Sequence, residues 1–245
     1  MALARRLVIR IGRKPFKRFT FVSGTAGHRA KATVLMKYDR EIVLLNQMDN
    51  KNAALEKLIL ASGSQRRMEI LRAFGWPFAA VAADIDESVR EGEDAVNYVK
   101  RLALTKAQPV ARKVTEGLVL GADTTVVVES EMLGQPLDDD DARRMLKLLS
   151  GKWHEVLTGV ALIRAGEHVQ VLVDHETTRV RFAEMSTEEI DWYVSSGEPR
   201  GKAGGYGIQG HAALFVEEIA GDYFNIVGLP VRLVYELSRR MSDEL

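Results

Sequence analysis

The sequence predicts a mixed α/β fold, and two observations indicate it. From Lys57 onward, short apolar runs typical of buried strands alternate with stretches in which apolar residues recur at helical spacing. Further along, two long segments rich in β-branched residues, 154–164 and 169–182, flank Ala165-Gly166-Glu167, which is typical of an antiparallel hairpin. A chain of 245 residues, 46% of them hydrophobic, is long enough to bury a sizeable core.

The other elements follow from local signals. Pro77 ends the first helix, Pro136 and an acidic first turn announce the third, and Ser186 with Glu189 three positions later has capping-box spacing. Strands are predicted at 57–61, 78–82, 118–128 and near 213–219, and helices at 68–74, 95–107, 138–149, 186–194 and after Pro230.

The first part of the chain has a different composition. Residues 1–40 hold eleven Lys or Arg and one acid, Asp39, which leaves 23 basic and 33 acidic residues in the remainder. We therefore predict a basic, poorly structured extension over residues 1–55 and one domain over residues 56–245. The extension's composition suits a plain tail, an organelle transit peptide with a mitochondrial destination, or an arm that contacts nucleic acid.

Composition also excludes several classes of protein. No apolar run approaches the roughly 18 to 20 residues that cross a bilayer, so an integral membrane protein is not expected. The absence of cysteine excludes disulfides, a cysteine nucleophile and thiolate metal sites.

The first candidate site is the junction Ser62-Gly63-Ser64-Gln65-Arg66-Arg67, between a strand end and a helix start. Free backbone N–H groups and the helix dipole favour an anion there, and two guanidinium groups could clamp phosphate oxygens. The alternative is that Ser64 only caps the helix while both arginines are solvated. The glycine spacing and the Gly-Lys-Ser ending of a Walker motif are absent.

The second candidate is Asp123, in GADTT within an otherwise apolar strand. A buried carboxylate is costly without a partner, so this position suits a metal ligand or a base that activates water. An Asp bonded to backbone at a bulge is the alternative. Asp84, Asp86 and Glu87, after the second strand, are acids that could join it.

The third candidate is the Gly-rich stretch from Gly197 to Gly210. Its second half matches G-x-G-x-x-G, but it follows a loop rather than a strand, so a Rossmann interpretation is not favoured. A flexible loop that offers Lys202 and Gln209 to a ligand fits better.

Other features have simpler explanations. The four acids Asp138–Asp141 suit the first turn of a helix, where the dipole favours negative charge. The five histidines lack metal-ligand spacing, and no serine stands in a G-x-S-x-G elbow.

Together these segments resemble the Maf family of nucleoside triphosphate pyrophosphatases. The motifs that carry the resemblance occur in the family's order over residues 57–240: S-x-S-x-R-R from Ser62, DES at Asp86–Ser88, LALTKA with Lys106, GADT from Gly121, LSG-x-x-H-x-V-x-T-G-V from Leu149, GEP-x-x-KAG-x-YGIQG from Gly197 and GDYFNIVGLP from Gly221. The last two favour the branch associated with dTTP and UTP.

The resemblance implies a sheet flanked by helices, like that of inosine triphosphatases, with two lobes around a central cleft. It implies hydrolysis of a nucleoside triphosphate to the monophosphate and pyrophosphate with Mg²⁺ or Mn²⁺, in a cytoplasmic, homodimeric enzyme without a nucleic-acid partner. The implied catalytic and metal-binding residues are Asp123 and Glu87, and the implied substrate-binding residues are Ser62, Ser64, Arg66, Arg67, Lys106, Thr124, Lys202 and Gln209.

Two positions depart from the family pattern. Gln65 replaces the usual Pro, and Gln135 replaces the Lys of a Gly-Lys-Pro turn. Loss of a phosphate-binding cation leaves open a nucleotide-binding regulator without turnover, of the kind that the family's association with septum formation suggests.

Overall fold

The computed structural model describes residues 58–243. Within this range seven strands form one sheet in the order β2-β1-β3-β5-β6-β7, with β4 paired to β3. The strands are β1 Leu58–Leu60, β2 Phe78–Ala80, β3 Gly117–Val128, β4 Glu131–Leu133, β5 Trp153–Ala165, β6 Gln170–Phe182 and β7 Val216–Ala220. The helices are α1 Gln65–Ala73, α2 Ala95–Ala111, α3 Asp139–Leu149, α4 Thr187–Ser195, α5 Tyr223–Val227 and α6 Val231–Asp243.

The sheet is mixed. Strand β1 runs parallel to β2 and β3, whereas β3, β5, β6 and β7 pair antiparallel to one another. The predicted mixed α/β class is therefore confirmed, including the β5–β6 hairpin. None of the helices in residues 58–243 is both long and apolar enough to pass through a membrane.

Strand β3 separates two apolar cores. Because side chains alternate across a strand, Leu118 and Leu120 pack in the larger core, whereas Val119 packs with Ala103 and Ala107 of α2 in the smaller one. The same alternation sends the side chains of Asp123 and Thr124, further along β3, to opposite faces.

Helix α2 lies unusually close to the sheet. A Cβ added to Gly121 of β3 would come 2.1 Å from the Ala103 carbonyl oxygen, and one added to Gly159 of β5 would come 2.2 Å from that of Val99. Gly159 is the register partner of Asp123. These two glycines therefore set how near the helix comes to the strand that carries Asp123.

The local predictions hold with small differences. The Ser186 capping box is present, and α2 extends to Ala111 because Pro109, in its last turn, loses only one helical hydrogen bond. The strand predicted near 213–219 is Val216–Ala220, since residues 211–214 form a 3₁₀ turn. The predicted extension over residues 1–55 lies outside the described residues, so its boundary stays a prediction.

Candidate active site

A cleft of about 830 Å³ opens where β1, β3 and the Gly-rich loop meet. All ten residues implied by the resemblance line it: Ser62, Ser64, Arg66, Arg67, Glu87, Lys106, Asp123, Thr124, Lys202 and Gln209. The lining also contains apolar side chains, among them Val126, Val156, Tyr206, Ile208 and Ile226. A cleft of this volume and mixed lining matches the usual dimensions of a small-molecule site.

The loop after β1 is organised around Ser62. Its hydroxyl oxygen accepts hydrogen bonds from the Ser64 backbone N–H and from Arg67 Nη1, both at 3.2 Å. Ser64 occupies the N-cap position of α1, but its side chain makes no capping hydrogen bond. The alternative that the Ser64 side chain caps the helix is therefore wrong. The alternative that both arginines are solvated is wrong for Arg67, which is bonded to Ser62.

Arg67 is buried, with 8% of its surface exposed. Its Nε donates to the Gly228 carbonyl at 2.8 Å and its Nη2 to Thr124 Oγ1 at 3.1 Å. Burial lowers the pKa of Arg67, and the negative charge of Asp123 opposes that effect. The three bonds use three of the five guanidinium N–H groups, so two remain that could meet an anion in the cleft.

A chain of hydroxyl groups continues from Arg67 into the core. Thr158 Oγ1 donates to the Asn225 carbonyl at 3.1 Å and lies 2.9 Å from Thr124 Oγ1. Because the only proton of the Thr158 hydroxyl is used at Asn225, the Thr124 hydroxyl must be the donor between the two threonines. Asn225 in turn is fully buried and donates to the Val156 carbonyl at 2.8 Å. The orientation of Arg67 is thus fixed by a continuous hydrogen-bonded chain.

On the other face of β3, Asp123 and Glu87 converge on one ammonium group. Lys106 Nζ lies 2.6 Å from Asp123 Oδ1 and 2.7 Å from Glu87 Oε1. Burial raises the pKa of Asp123, while the charges of Lys106 and Arg67 act in the opposite direction. The prediction that an Asp in this apolar strand needs a partner is confirmed, and the partner is Lys106.

Besides the ion pair of its side chain with Lys106, Glu87 is held through the backbone of its segment. Tyr98 donates its hydroxyl to the Glu87 carbonyl at 3.0 Å, and Arg101 donates to the Ser88 carbonyl at 2.9 Å. Burial, followed by the charges of Asp123 and Glu87, raises the pKa of Tyr98 to about 12. Asp86, a second acid of this segment, instead accepts the Ser88 N–H at 2.9 Å and so forms a local turn.

The Gly-rich loop closes the cleft opposite α1. Arg66 Nη2 donates to the Gly201 carbonyl at 3.1 Å, and Lys202 Nζ donates to the Glu198 carbonyl. Burial lowers the pKa of Lys202, and the charge of Arg66 lowers it further. This segment consists of turns and 3₁₀ helix rather than a strand-to-helix junction, which agrees with rejection of the Rossmann interpretation.

Gln135 lines the same cleft. Its neighbour Gly134 accepts the Gly204 N–H at 2.9 Å, so the turn that bears Gln135 is tied to the Gly-rich loop. Arg143 and Arg144, which follow in α3, do not line the cleft: Arg143 pairs with Asp140 and Asp191, and Arg144 with Asp141 and Glu131. In this structure neither arginine replaces the missing family lysine.

The acidic run Asp138–Asp141 and the buried His154 have structural roles outside the cleft. Asp138 caps α3 by accepting the Asp141 N–H, and the following acids fill the first turn. His154 is buried in the core, where its Nε2 lies 2.8 Å from the Tyr206 hydroxyl. Within residues 58–243 no three His, Asp or Glu side chains gather closely enough to hold a metal ion by themselves.

Sequence reasoning missed Tyr98 and Glu198 as parts of the site. Tyr98 lies in helix α2, outside every motif that carries the resemblance, and gives no local signal. Glu198 belongs to the quoted GEP motif, and its position in the middle of a Gly-rich loop was the signal that could have identified it.

Comparison with known proteins supports one family. The family model described as "Maf-like protein" matches residues 57–241. A protein of Symbiobacterium thermophilum named dTTP/UTP pyrophosphatase is 50% identical over 75% of this chain and 93% of its own length. Proteins of the same name from Hahella chejuensis and Bacillus cereus are 52% and 48% identical over 75% and 76% of this chain, and over 92% and 96% of their own lengths.

Similarity to solved structures is weaker. The Staphylococcus aureus Ham1 protein is 14% identical and has a TM-score of 0.39, over 53% of this chain and 73% of that chain. At that level the similarity carries no argument about function. The family match, the identity to the three relatives and the convergence of the predicted residues in one cleft lead to a single assignment: the chain belongs to the Maf family.

Proposed function

We propose that this protein hydrolyses nucleoside triphosphates, dTTP and UTP among them, to the monophosphate and pyrophosphate. The observation that carries the proposal is the juxtaposition of Asp123, Lys106 and Glu87 with Arg66, Arg67 and Lys202 in one cleft. Relatives about half identical in sequence bear the name dTTP/UTP pyrophosphatase, which supports the choice of substrate.

The phosphate chain would lie among the cations. Negative charge accumulates on phosphate oxygens as the anhydride bond breaks, so cations placed beforehand stabilise the transition state most. Arg67 is fixed by three hydrogen bonds, whereas Arg66 and Lys202 are tied to backbone carbonyls of the Gly-rich loop. Both sides of the cleft would therefore contact the triphosphate.

Asp123 would orient or deprotonate the attacking water. The water oxygen would bond to phosphorus, the bridging oxygen would leave with pyrophosphate, and the proton of water would pass to the Asp123 carboxylate. Lys106, 2.6 Å from that carboxylate, holds it in place.

A divalent cation, Mg²⁺ or Mn²⁺, is part of the proposal, and the residues fit one. Asp123 and Glu87 lie side by side, each with a carboxylate oxygen within 2.7 Å of Lys106 Nζ. Mg²⁺ is commonly bound by one or two carboxylates together with substrate phosphates and water. When bound, the ion would polarise the phosphate oxygens and neutralise developing charge. The requirement for phosphate ligands is consistent with the lack of a cluster of three protein ligands within residues 58–243.

The test is pyrophosphate release from a panel of nucleotides with Mg²⁺ or Mn²⁺, comparing the parent with Asp123→Asn. The exchange preserves volume but removes a charge, and loss of a general base typically costs about 10²- to 10⁴-fold in rate. Asp140→Asn is a matched control, because that exposed acid only pairs with Arg143 at the surface. Parent-like turnover by a folded Asp123→Asn variant would contradict the assignment.

The same assay separates the alternative function. Tight nucleotide binding without pyrophosphate release in the parent would favour the regulator without turnover. A homodimer and a cytoplasmic location complete the proposal, and light scattering of the purified protein tests the first of these.

A further inference from the structure

We propose that Glu198 is a positioning residue that holds Lys202 and the segment from Gly207 to His211 against the substrate phosphates. The inference rests on the proposed function and adds to it a residue that does not itself contact the reacting atoms. Glu198 is a third acid in this cleft, and unlike Asp123 and Glu87 its carboxylate does not pair with Lys106.

The carboxylate of Glu198 is almost covered, with 15% of the side chain exposed. Its Oε1 accepts the Tyr193 hydroxyl at 3.0 Å. Its Oε2 accepts the His211 backbone N–H at 2.8 Å and lies 2.9 Å from His211 Nδ1. These contacts join α4, which carries Tyr193, to the end of the Gly-rich loop.

The loop is shaped to fit this carboxylate. A Cβ added to Gly210 would lie 2.2 Å from Glu198 Oε1, so a larger residue there would displace the carboxylate from its present position. The Gly207 N–H donates to the Tyr193 hydroxyl at 3.2 Å, and that hydroxyl donates in turn to Glu198. The carboxylate thereby fixes both ends of the segment that presents Gln209.

Lys202 is positioned from the same residue. Its Nζ donates to the backbone carbonyl of Glu198, a bond that any residue at 198 could accept. The carboxylate reaches Lys202 through Gly207, since a Cβ added there would lie 2.7 Å from Lys202 Cε and 3.6 Å from Glu198 Oε1. Burial and the charge of Arg66 lower the pKa of Lys202, and the negative charge of Glu198 opposes both effects in part. Glu198 therefore partly compensates at Lys202 for the repulsion from Arg66.

The test compares Glu198→Gln with the parent in pyrophosphate release and in calorimetric binding of inorganic tripolyphosphate. The carboxylate accepts with one oxygen from Tyr193 and with the other from His211, whereas a glutamine offers an acceptor oxygen at only one of these two positions and carries no charge. We expect KM for dTTP to rise about tenfold to a hundredfold with a smaller change in kcat, and tripolyphosphate affinity to fall in parallel, because charged hydrogen bonds of this kind are being lost.

A double-mutant cycle with Lys202→Ala separates positioning from general support of the fold. If Glu198 acts through Lys202, the loss of affinity caused by Glu198→Gln should shrink to less than about threefold when Lys202 is already alanine, because the effects of coupled residues are not additive. Fully additive effects would overturn the proposal. Glu217→Gln is the matched control, since its carboxylate pairs with Arg181 outside the cleft.

Two further outcomes are decisive. If Glu198→Gln does not fold, Tyr193→Phe removes one donor to the carboxylate and leaves its charge, and it should weaken tripolyphosphate binding in the same direction. Unchanged affinity in a folded Glu198→Gln or Tyr193→Phe variant would refute the positioning role. A parent that binds tripolyphosphate but releases no pyrophosphate would refute the proposed function alone.

Discussion

Replacement of Gly159 by alanine should damage both stability and catalysis, because the added methyl has no room. Its carbon would lie 2.2 Å from the Val99 carbonyl oxygen, 2.4 Å from the Val99 carbonyl carbon and 2.8 Å from the Lys100 nitrogen. All three are backbone atoms, so a change of side-chain rotamer cannot relieve the contact. To restore an ordinary carbon–oxygen distance, α2 would have to move away from β5 by about 1 Å.

The displacement would reach the active site. Helix α2 carries Lys106, which lies 2.6 Å from Asp123, and Asp123 is the register partner of Gly159. Overpacking of this kind typically costs about 1 to 3 kcal/mol of unfolding free energy. A misplacement of about 1 Å among catalytic groups can lower the rate by about a hundredfold.

The assays are urea unfolding and pyrophosphate release at saturating dTTP. Gly134→Ala is the control for stability, because no atom lies within 4 Å of a Cβ added there. Parent-like stability and turnover in Gly159→Ala would show that α2 does not rest on β5 as described, and the explanation of the Lys106 position would be wrong.

Three further predictions concern other parts of the chain. Gln135→Lys should raise the pyrophosphate release rate about tenfold to a hundredfold, because an ammonium offsets phosphate charge that a neutral amide cannot; an equal or lower rate would mean that this enzyme does not use the charge. Burial lowers the pKa of His154 to about 4. As pH falls below about 6.5, the unfolded chain therefore binds a proton before the folded protein does. The free energy of unfolding should fall by about 2 kcal/mol between pH 7 and pH 4.5. Urea midpoints of parent and His154→Gln at both pH values measure this, and a difference between the two proteins that does not change with pH would contradict it. A chain beginning near Ala54 should fold and keep its turnover, since every matched motif lies after Lys57; aggregation or loss of activity would mean that the basic segment packs on the domain.

Local signals in the sequence were sufficient for most elements of the fold. The β5–β6 hairpin, the long strand β3 and the helices with clear caps were predictable because their patterns repeat over many residues. Strand β4 was not, because it has three residues and its turn uses Glu129 and Ser130 at positive φ, where Gly or Asn would have signalled a hairpin. Helix α5 has a capping Asp222 and a terminal Gly228, but its five residues are too few for a periodic pattern.

The amino-acid sequence is enough to identify the residues that need partners: an aspartate in an apolar strand, two arginines at a strand-to-helix junction, and a glycine-rich loop with one lysine. The identity of those partners depends on how the elements pack in three dimensions. Asp123 meets Lys106 because α2 packs closely on Gly121 of β3 and Gly159 of β5. Arg67 meets Gly228, 161 positions away, because α5 packs beside α1. Strand order and register bring such residues together, and no local pattern encodes a contact between segments so far apart in the chain.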